Sequence, residues 1–432
     1  PVLEPIETIR NMDAILDLSD PENPKEPEWP AADFIVGNPP FLGGKLLRAN
    51  LGDRYVDAVF KVWRDRVARE ADLCCYWFEK SRQQIENQRC RRVGLLATQG
   101  IRGGANRKSL EAIKQSGDVF FAMSDREWIL DGAAVHVSMI GFDDGQEAIR
   151  SLDSVLVTTI NSNLTSSVDV TKAKQLNTLG EIAFMGTTKG GAFDIAFETA
   201  IAFLRAPNPH GRPNSDVLVP WVNGQDLVQR PRGLWIIDFG VDRTEEEAAQ
   251  YEVVFEYVRA TIKPGREVNA RESYRRLWWQ HVEARPALRH AIRPLRRFLC
   301  TTRVAKHRLF VWDASPTLPD SATFAFARDD DSFFGVLHSR LHEAWTLSQG
   351  TQLRERESGF RYTPSSCFET FPFPDVIAIE NAGVEEKARK LHELRASWLN
   401  PPEWTRNEIL EFPGSIDGPW ARYVHDADAR GI

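Results

Sequence analysis

The stretch that decides the fold is ADFIVGNPPF, residues 32–41. Phe34, Ile35 and Val36 make a short apolar run, and Gly37 with two prolines ends it. A run of that length predicts a buried strand, and the prolines predict a loop that can extend neither helix nor sheet ladder. Working outward, Val56, Val59, Phe60, Trp63 and Val67, then Leu73, Tyr76 and Trp77, fall at helical spacing. They predict one or two amphipathic helices over 55–85. RRVGLLATQG (91–100) predicts a second buried strand, GIRGGANR (100–107) a glycine-rich loop, and KSLEAIKQSG (108–117) a helix closed at Gly117. Residues 118–129 and 133–142 read as a β pair joined by Asp131-Gly132. This alternation predicts an α/β domain with a mainly parallel sheet over residues 1–150.

From about 150 to 180 the chain turns polar (TTINSNLTSSVDVTKAK), which predicts a boundary. A mixed α+β domain is expected over 151–375, with strands in VLVPWV, LWIIDFG, RLFVWDA and ATFAFA. Residues 376–432 read as a helical spacer, with VEEKARKLHELRASWLN an amphipathic helix stopped by Pro401-Pro402, followed by an irregular tail. The 432 residues are 42% hydrophobic with an ordinary 28 Gly and 25 Pro, which excludes disorder and allows several cores. No apolar run approaches the roughly 20 residues of a membrane helix, so no membrane partner is expected. PVLEPIETIR has neither the basic nor the apolar region of a secretory signal. Five cysteines without C-x-x-C spacing point to reduced thiols in a cytoplasmic protein, not to disulfides or a zinc site.

Asn38, Pro39, Pro40 and Phe41 follow a strand, and ligands of open α/β sheets bind beyond the carboxyl ends of strands. An Asn carbonyl and the carbonyl of the next proline can accept both hydrogens of an exocyclic amine. Together they aim its lone pair at an electrophile and stabilise positive charge growing on nitrogen. The prolines fix φ and hold those carbonyls in place. Phe41 can stack on a base turned out of a duplex. The same amide logic serves methylation of a protein glutamine, and Asn-Pro-Pro elsewhere is an ordinary turn.

In order, IVGNPPFLGGK, LGDRYVDAVF, ADLCCYWFEKSR, RVGLLATQGIRGGANR and WILDGAAVHVSMIGF resemble the MmeI-like (type IIL) restriction–modification enzymes, of the γ-type DNA adenine-N6 methyltransferases. The likeness continues through NGQDLVQRPRGLWIIDFG, RVAKHRLFVW, FFGVLHSRLHEAW and RYTPSSCFETFPFPD. It implies the carboxyl-terminal part of a class I (Rossmann-like) methyltransferase domain, then a target-recognition domain and a helical tail. S-adenosylmethionine is the implied methyl donor and duplex DNA the implied partner, with no metal needed for the transfer. Asn38 to Phe41 take the catalytic and base-holding roles. Asp13 and Ala14 fall where the family binds the cofactor's adenine, although Asp13 reads equally as a capping or loop acid. Arg102, Gly103 and Gly104 fall at the edge facing the flipped base, or make an ordinary turn. The family's cofactor-binding strand and its nuclease have no counterpart here. The chain therefore reads as cut at both ends, inactive alone, and dependent on an upstream cofactor-binding segment and possibly a nuclease segment.

The net charge is −7, yet residues 263–308 carry 13 Lys and Arg against Glu267, Glu272 and Glu283, a local balance of +10. Such segregation predicts a DNA-facing element, with Arg293 and Arg297 among the phosphate contacts. Phosphate contacts do not read sequence. For base-edge reading the candidates are Arg303, Lys306, Gln352, Arg354, Arg356 and Arg361, with Tyr362 buttressing their loop. Lys45, just past the NPPF turn, is a candidate phosphate contact near the flipped base. Asp329, Asp330 and Asp331 form an acidic turn rather than a metal site. The expected function is site-specific adenine-N6 methylation of DNA, and the alternative is a DNA-binding specificity module without catalysis.

Overall fold

The computed structural model describes residues 9–130, 133–166, 170, 173–352, 359–374, 383–415 and 420–425. The chain divides into two compact units, Pro1–Ala173 with Thr351–Arg356, and Lys174–Gly350 with Glu357–Ile432.

The first unit is built on a sheet of β1 (Phe34–Gly37), β2 (Arg92–Thr98), β3 (Asp118–Leu130), β4 (Ala133–Asp143), β5 (Arg150–Leu152) and β6 (Val155–Val157). Their order across the sheet is β1-β2-β4-β3-β5-β6. β1 runs parallel to β2 and β3 to β5, while β4 is antiparallel to both of its neighbours. The expected β pair forms, and its Asp131-Gly132 turn lies outside the described residues. Among the described residues β1 is the end strand and pairs on one side only.

The helices α1 (Leu47–Leu51), α2 (Asp53–Val62), α3 (Cys74–Glu86) and α4 (Gly104–Ser116) fill the crossovers. The core includes Val93, Leu95 and Ala97 of β2, Val56, Val59 and Trp63 from the α2 region, Tyr76 and Phe78 of α3, and Leu110 and Ile113 of α4. α4 begins four residues before its expected start, so part of the predicted glycine loop is its first turn.

The sheet is mixed rather than mainly parallel, because three of its five pairings, β2-β4, β4-β3 and β5-β6, are antiparallel. A second expectation also fails. β1 and β2 are not buried on both faces: Phe34 and Val36 are 62% and 83% exposed, and β2 alternates buried and open positions. An unbroken apolar run normally marks a strand covered twice. Here one face packs on the helical core. The opposite one, with Phe34, Val36, Gly94, Leu96, Phe120 and Met139, borders an open depression of about 350 Å³.

The second unit holds two four-stranded sheets. One contains Asp194–Ile195, Leu218–Val222, Trp235–Ile237 and Leu318–Pro319, and the other Ala183–Met185, Arg297–Thr302, Val311–Ala314 and Thr323–Phe326. Trp235, Phe239, Tyr251, Phe255, Trp278 and Trp279 dominate one core, and Phe310, Phe326, Phe333, Tyr362 and Phe368 another. The helix expected from 384 spans Val384–Leu399 and packs against Gly335, where a Cβ would stand 2.5 Å from Val384 Cγ1. It is not cleanly amphipathic toward a core, because Leu391, Leu394 and Trp398 are exposed.

The tail is not irregular. Thr405–Ile409 and Ala421–His425 pair antiparallel, and Trp420 stacks on Trp235 at 5.5 Å between centroids. Alternating charges in TRNEI masked this strand because neither of its faces is wholly apolar. All five cysteines are free and buried. No described helix is long and apolar enough to cross a membrane.

Candidate functional site

β1 ends at Gly37, so Asn38, Pro39, Pro40 and Phe41 form the loop leaving its carboxyl end. Pro39 is buried and Phe41 half-buried, while Asn38 and Pro40 are exposed. The loop is clamped from behind. Leu73 N–H donates to the Leu42 carbonyl at 2.8 Å, and Gly44 N–H donates to Asp72 Oδ1 at 3.1 Å. Asp72 is held in turn by Asn106, whose Oδ1 accepts from Asp72 N–H at 2.8 Å and whose Nδ2 donates to Asp72 Oδ2 at 2.9 Å. The same Nδ2 reaches the Gly100 carbonyl at 3.4 Å. The loop after β1 and the loop after β2 are therefore one hydrogen-bonded structure. Gly44 permits the contact, since a Cβ there would lie 2.3 Å from the Glu70 carbonyl oxygen.

Asp72 and Asn106 escaped the sequence reading, although both stand in strings it singled out, ADLCC and GGANR. Their role depends on a tertiary contact 34 residues apart that no local pattern encodes.

Asp13 shapes a tight turn. Its Oδ1 accepts from the Ile15 and Leu16 amides at 2.9 and 3.0 Å, and its Oδ2 from the Tyr55 hydroxyl at 2.7 Å. Burial, reinforced by that bond to Asp13, pushes the Tyr55 phenol well above its usual range. The Ala14 carbonyl accepts from the Trp29 indole and the Ile15 carbonyl from that of Trp63, both at 2.9 Å. Among the described residues no hydrogen bond joins this turn to residues 38–41.

Arg102 is half-buried and donates through Nε to the Asn163 carbonyl at 3.1 Å. Burial lowers its guanidinium pKa. Lys45 is exposed in a 3-10 turn spanning Gly44–Leu46.

In the second unit part of the basic stretch is consumed internally, so the stretch as a whole is not one basic face. Arg266 is 3% exposed and donates to the Lys189 and Gln280 carbonyls. Arg289 pairs with Asp238, and Arg308 donates to the Thr302 and Phe360 carbonyls. Burial brings the Arg308 pKa down to about 10. Arg297 is likewise committed: it binds the Asp329 carbonyl and Asp331 Oδ1, and its guanidinium lies 4.0 Å from the Trp312 ring centroid. Trp278, Trp279 and His281 are core residues.

Arg271, Arg275, Arg276, Arg293, Arg296 and Lys306 remain exposed. Arg303, Lys306 and Arg361 gather on one short ladder, where Val304 pairs with Arg361 and Tyr362 N–H donates to the Arg303 carbonyl. Tyr362 is buried and contacts His342 Nε2 at 3.3 Å, a supporting position. The side chain of Gln352, and all of Arg354 and Arg356, lie outside the described residues. Asp330 caps the helix Asp331–Leu337, so the acidic trio serves as cap and ion-pair partner.

These features define a mixed α/β domain with a proline-stiffened, externally clamped loop at a strand end, followed by a second α+β unit. Residues 8–153 match the family model of the MmeI DNA-methyltransferase domain. The chain is similar in fold to the type IIL restriction–modification enzyme MmeI, solved in complex with DNA, with TM-score 0.65 and 19% identity. That match covers 84% of this chain and 49% of MmeI, so the chain spans about half its length. The resemblance to MmeI-like enzymes is thus borne out by both comparisons. The type IIG restriction endonuclease BpuSI matches at TM-score 0.27 and 8% identity, over 83% of this chain and 49% of that one, which is too remote to support an argument. No curated protein matches the chain.

Proposed function

We propose that the chain supplies the catalytic loop and target-recognition part of a DNA methyltransferase within a restriction–modification enzyme. In this reading residues 1–150 are part of a class I, Rossmann-like domain acting on the N6 amine of a flipped adenine, and residues 151–375 recognise the DNA site. The observation that carries it is Asn38. Its side chain is exposed at the carboxyl end of β1, on a loop clamped through Asp72 and Asn106, inside the segment that matches the MmeI methyltransferase domain.

The Asn38 side-chain carbonyl and the Pro39 carbonyl accept the two amine hydrogens, and Phe41 stacks on the base. Because the clamp fixes the loop beforehand, little reorganisation is needed when charge develops on nitrogen. S-adenosylmethionine, the proposed cofactor, supplies an electrophilic methyl group when bound. The Asp13 turn fits its adenine: two amides and Tyr55 fix the carboxylate and occupy three of its roughly four acceptor positions, which leaves one for an amine. Arg303, Lys306, Arg361 and Arg293 are the described candidates for DNA contact in the second unit, and Lys45 in the first.

In the protein that carries this chain, Asn38→Ala is expected to lower methyl transfer about 100-fold or more, the scale of losing one preorganised polar group. DNA affinity is expected to stay unchanged. Transfer of labelled methyl to DNA and duplex binding measure the two. Undiminished transfer by the variant would remove Asn38 from the reaction.

A further inference from the structure

The loop after β1 continues into a cationic surface that no reading above has used. Arg48 and Arg69 flank the Phe60 ring, with guanidinium carbons 5.7 and 5.6 Å from its centroid. Phe60, Asp57, Lys61, Arg64 and Arg69 line a depression of about 350 Å³. Lys61, Arg64 and Arg69 are exposed. Arg48 takes up Asp53 at 2.8 Å and Asp57 at 2.7 Å, neutralising the nearest acids. Arg64 and Arg69 make no ion pair among the described residues, and Lys61 reaches only the Glu22 carbonyl at 3.5 Å. Asp65 and Glu70 are the remaining acids of the stretch.

This differs in kind from the 263–308 stretch. There Arg266, Arg289, Arg297 and Arg308 are spent on carbonyls, acids and a ring face inside the unit. Here the cations stay available, and they sit beside the candidate site. Gly44 packs against the Glu70 carbonyl, and Leu73 binds Leu42, so Arg69 is one residue from a segment touching the 38–44 loop. Three exposed cations, Lys61, Arg64 and Arg69, without an ion pair among the described residues suit a phosphodiester strand, because their charges meet phosphates.

Resting on the proposed DNA reading, we propose that Lys61, Arg64 and Arg69 hold the sugar–phosphate backbone of the duplex flanking the flipped base. Three phosphate contacts give this surface a definite share of the salt dependence, about 0.9 in slope for each.

The test measures binding of the purified chain to a short duplex of arbitrary sequence, by fluorescence anisotropy over a range of salt. K61Q/R64Q/R69Q is expected to reduce the slope of log affinity against log salt by about 2 to 3, and R64Q alone by about 0.9. K61R/R64K/R69K keeps the charges and is expected to keep the slope. Melting curves matching the parent's establish that the variants fold. An unchanged slope in both glutamine variants overturns the patch and leaves the DNA reading standing. A parent chain with no salt-dependent duplex binding overturns both. Loss of slope in the variants supports the patch, and DNA binding without methyl transfer by the longer protein that carries this chain sinks the methyltransferase reading.

Discussion

At the residue scale, Asp313 shows how little of a buried side chain's chemistry is visible in a linear string. RLFVWDA predicts a strand and correctly gives one, Val311–Ala314, but nothing in it marks the aspartate as a liability. The residue is only half-buried as a whole, yet its Oδ2 is sealed from solvent without a hydrogen-bond partner. Burial raises its pKa to about 6. The unfolded chain ionises near 3.8, so the native state holds this proton longer. The resulting penalty is absent below about pH 4, grows as pH rises to 6, and is constant above. Asp313→Asn removes it and is expected to stabilise the second unit at pH 7.5 by up to about 3 kcal/mol. The gain should vanish near pH 4. Thermal melts at the two pH values check this, and a gain of equal size at both would refute the assignment.

Asn38 is the opposite case. Its place at the end of a strand was legible because it depends on chain neighbours, Gly37 before and two prolines after. The cations of 263–308 were legible as a charge but not as a surface. Charge counting cannot tell an arginine facing solvent from one like Arg266, folded onto two backbone carbonyls.

At the element scale, strands and helices in the first unit followed from hydrophobic periodicity, because each packs one face on a common core. What periodicity could not supply was the connection between elements. The turn after β1 keeps its place through Gly44, Asp72 and Asn106, so its geometry depends on the start of α3 and on α4. Gly44→Ala pushes a methyl group into the Glu70 carbonyl and is expected to cost about 1–3 kcal/mol. A displacement of about 1 Å at the loop is expected to slow methyl transfer about 100-fold. Calorimetry and a single-turnover assay separate the two effects; unaltered transfer would show that the clamp does not set the loop. The C-terminal strands were missed for a related reason. Their contribution is made by Leu410, Phe412 and Trp420 at and beyond their ends, which join the core around Trp235.

At the scale of the whole molecule, the −7 net charge is a sum over surfaces of different character. The basic stretch is part interior and part surface, while further available cations lie on the first unit, where local composition is unremarkable. The division falls near residue 173, late in the polar stretch seen in the sequence, because β5, β6 and the buried Ile160 to Leu164 belong to the first unit.

The uncovered face of the first sheet bears on how the chain behaves in solution. A terminal strand with a free edge, carrying Phe34 and Val36 outward, is a template on which another strand can add. Colloidal behaviour should therefore be governed by four residues of strand rather than by the acidic surface. Phe34→Thr with Val36→Thr is expected to lower the fluorescence of a bound hydrophobic dye and slow concentration-dependent light scattering, with the melting temperature nearly constant. If scattering is unaffected, self-association runs through some other surface. On this account the strand that carries the candidate catalytic loop is also a point of attack for aggregation, and purification conditions that mask it should preserve both.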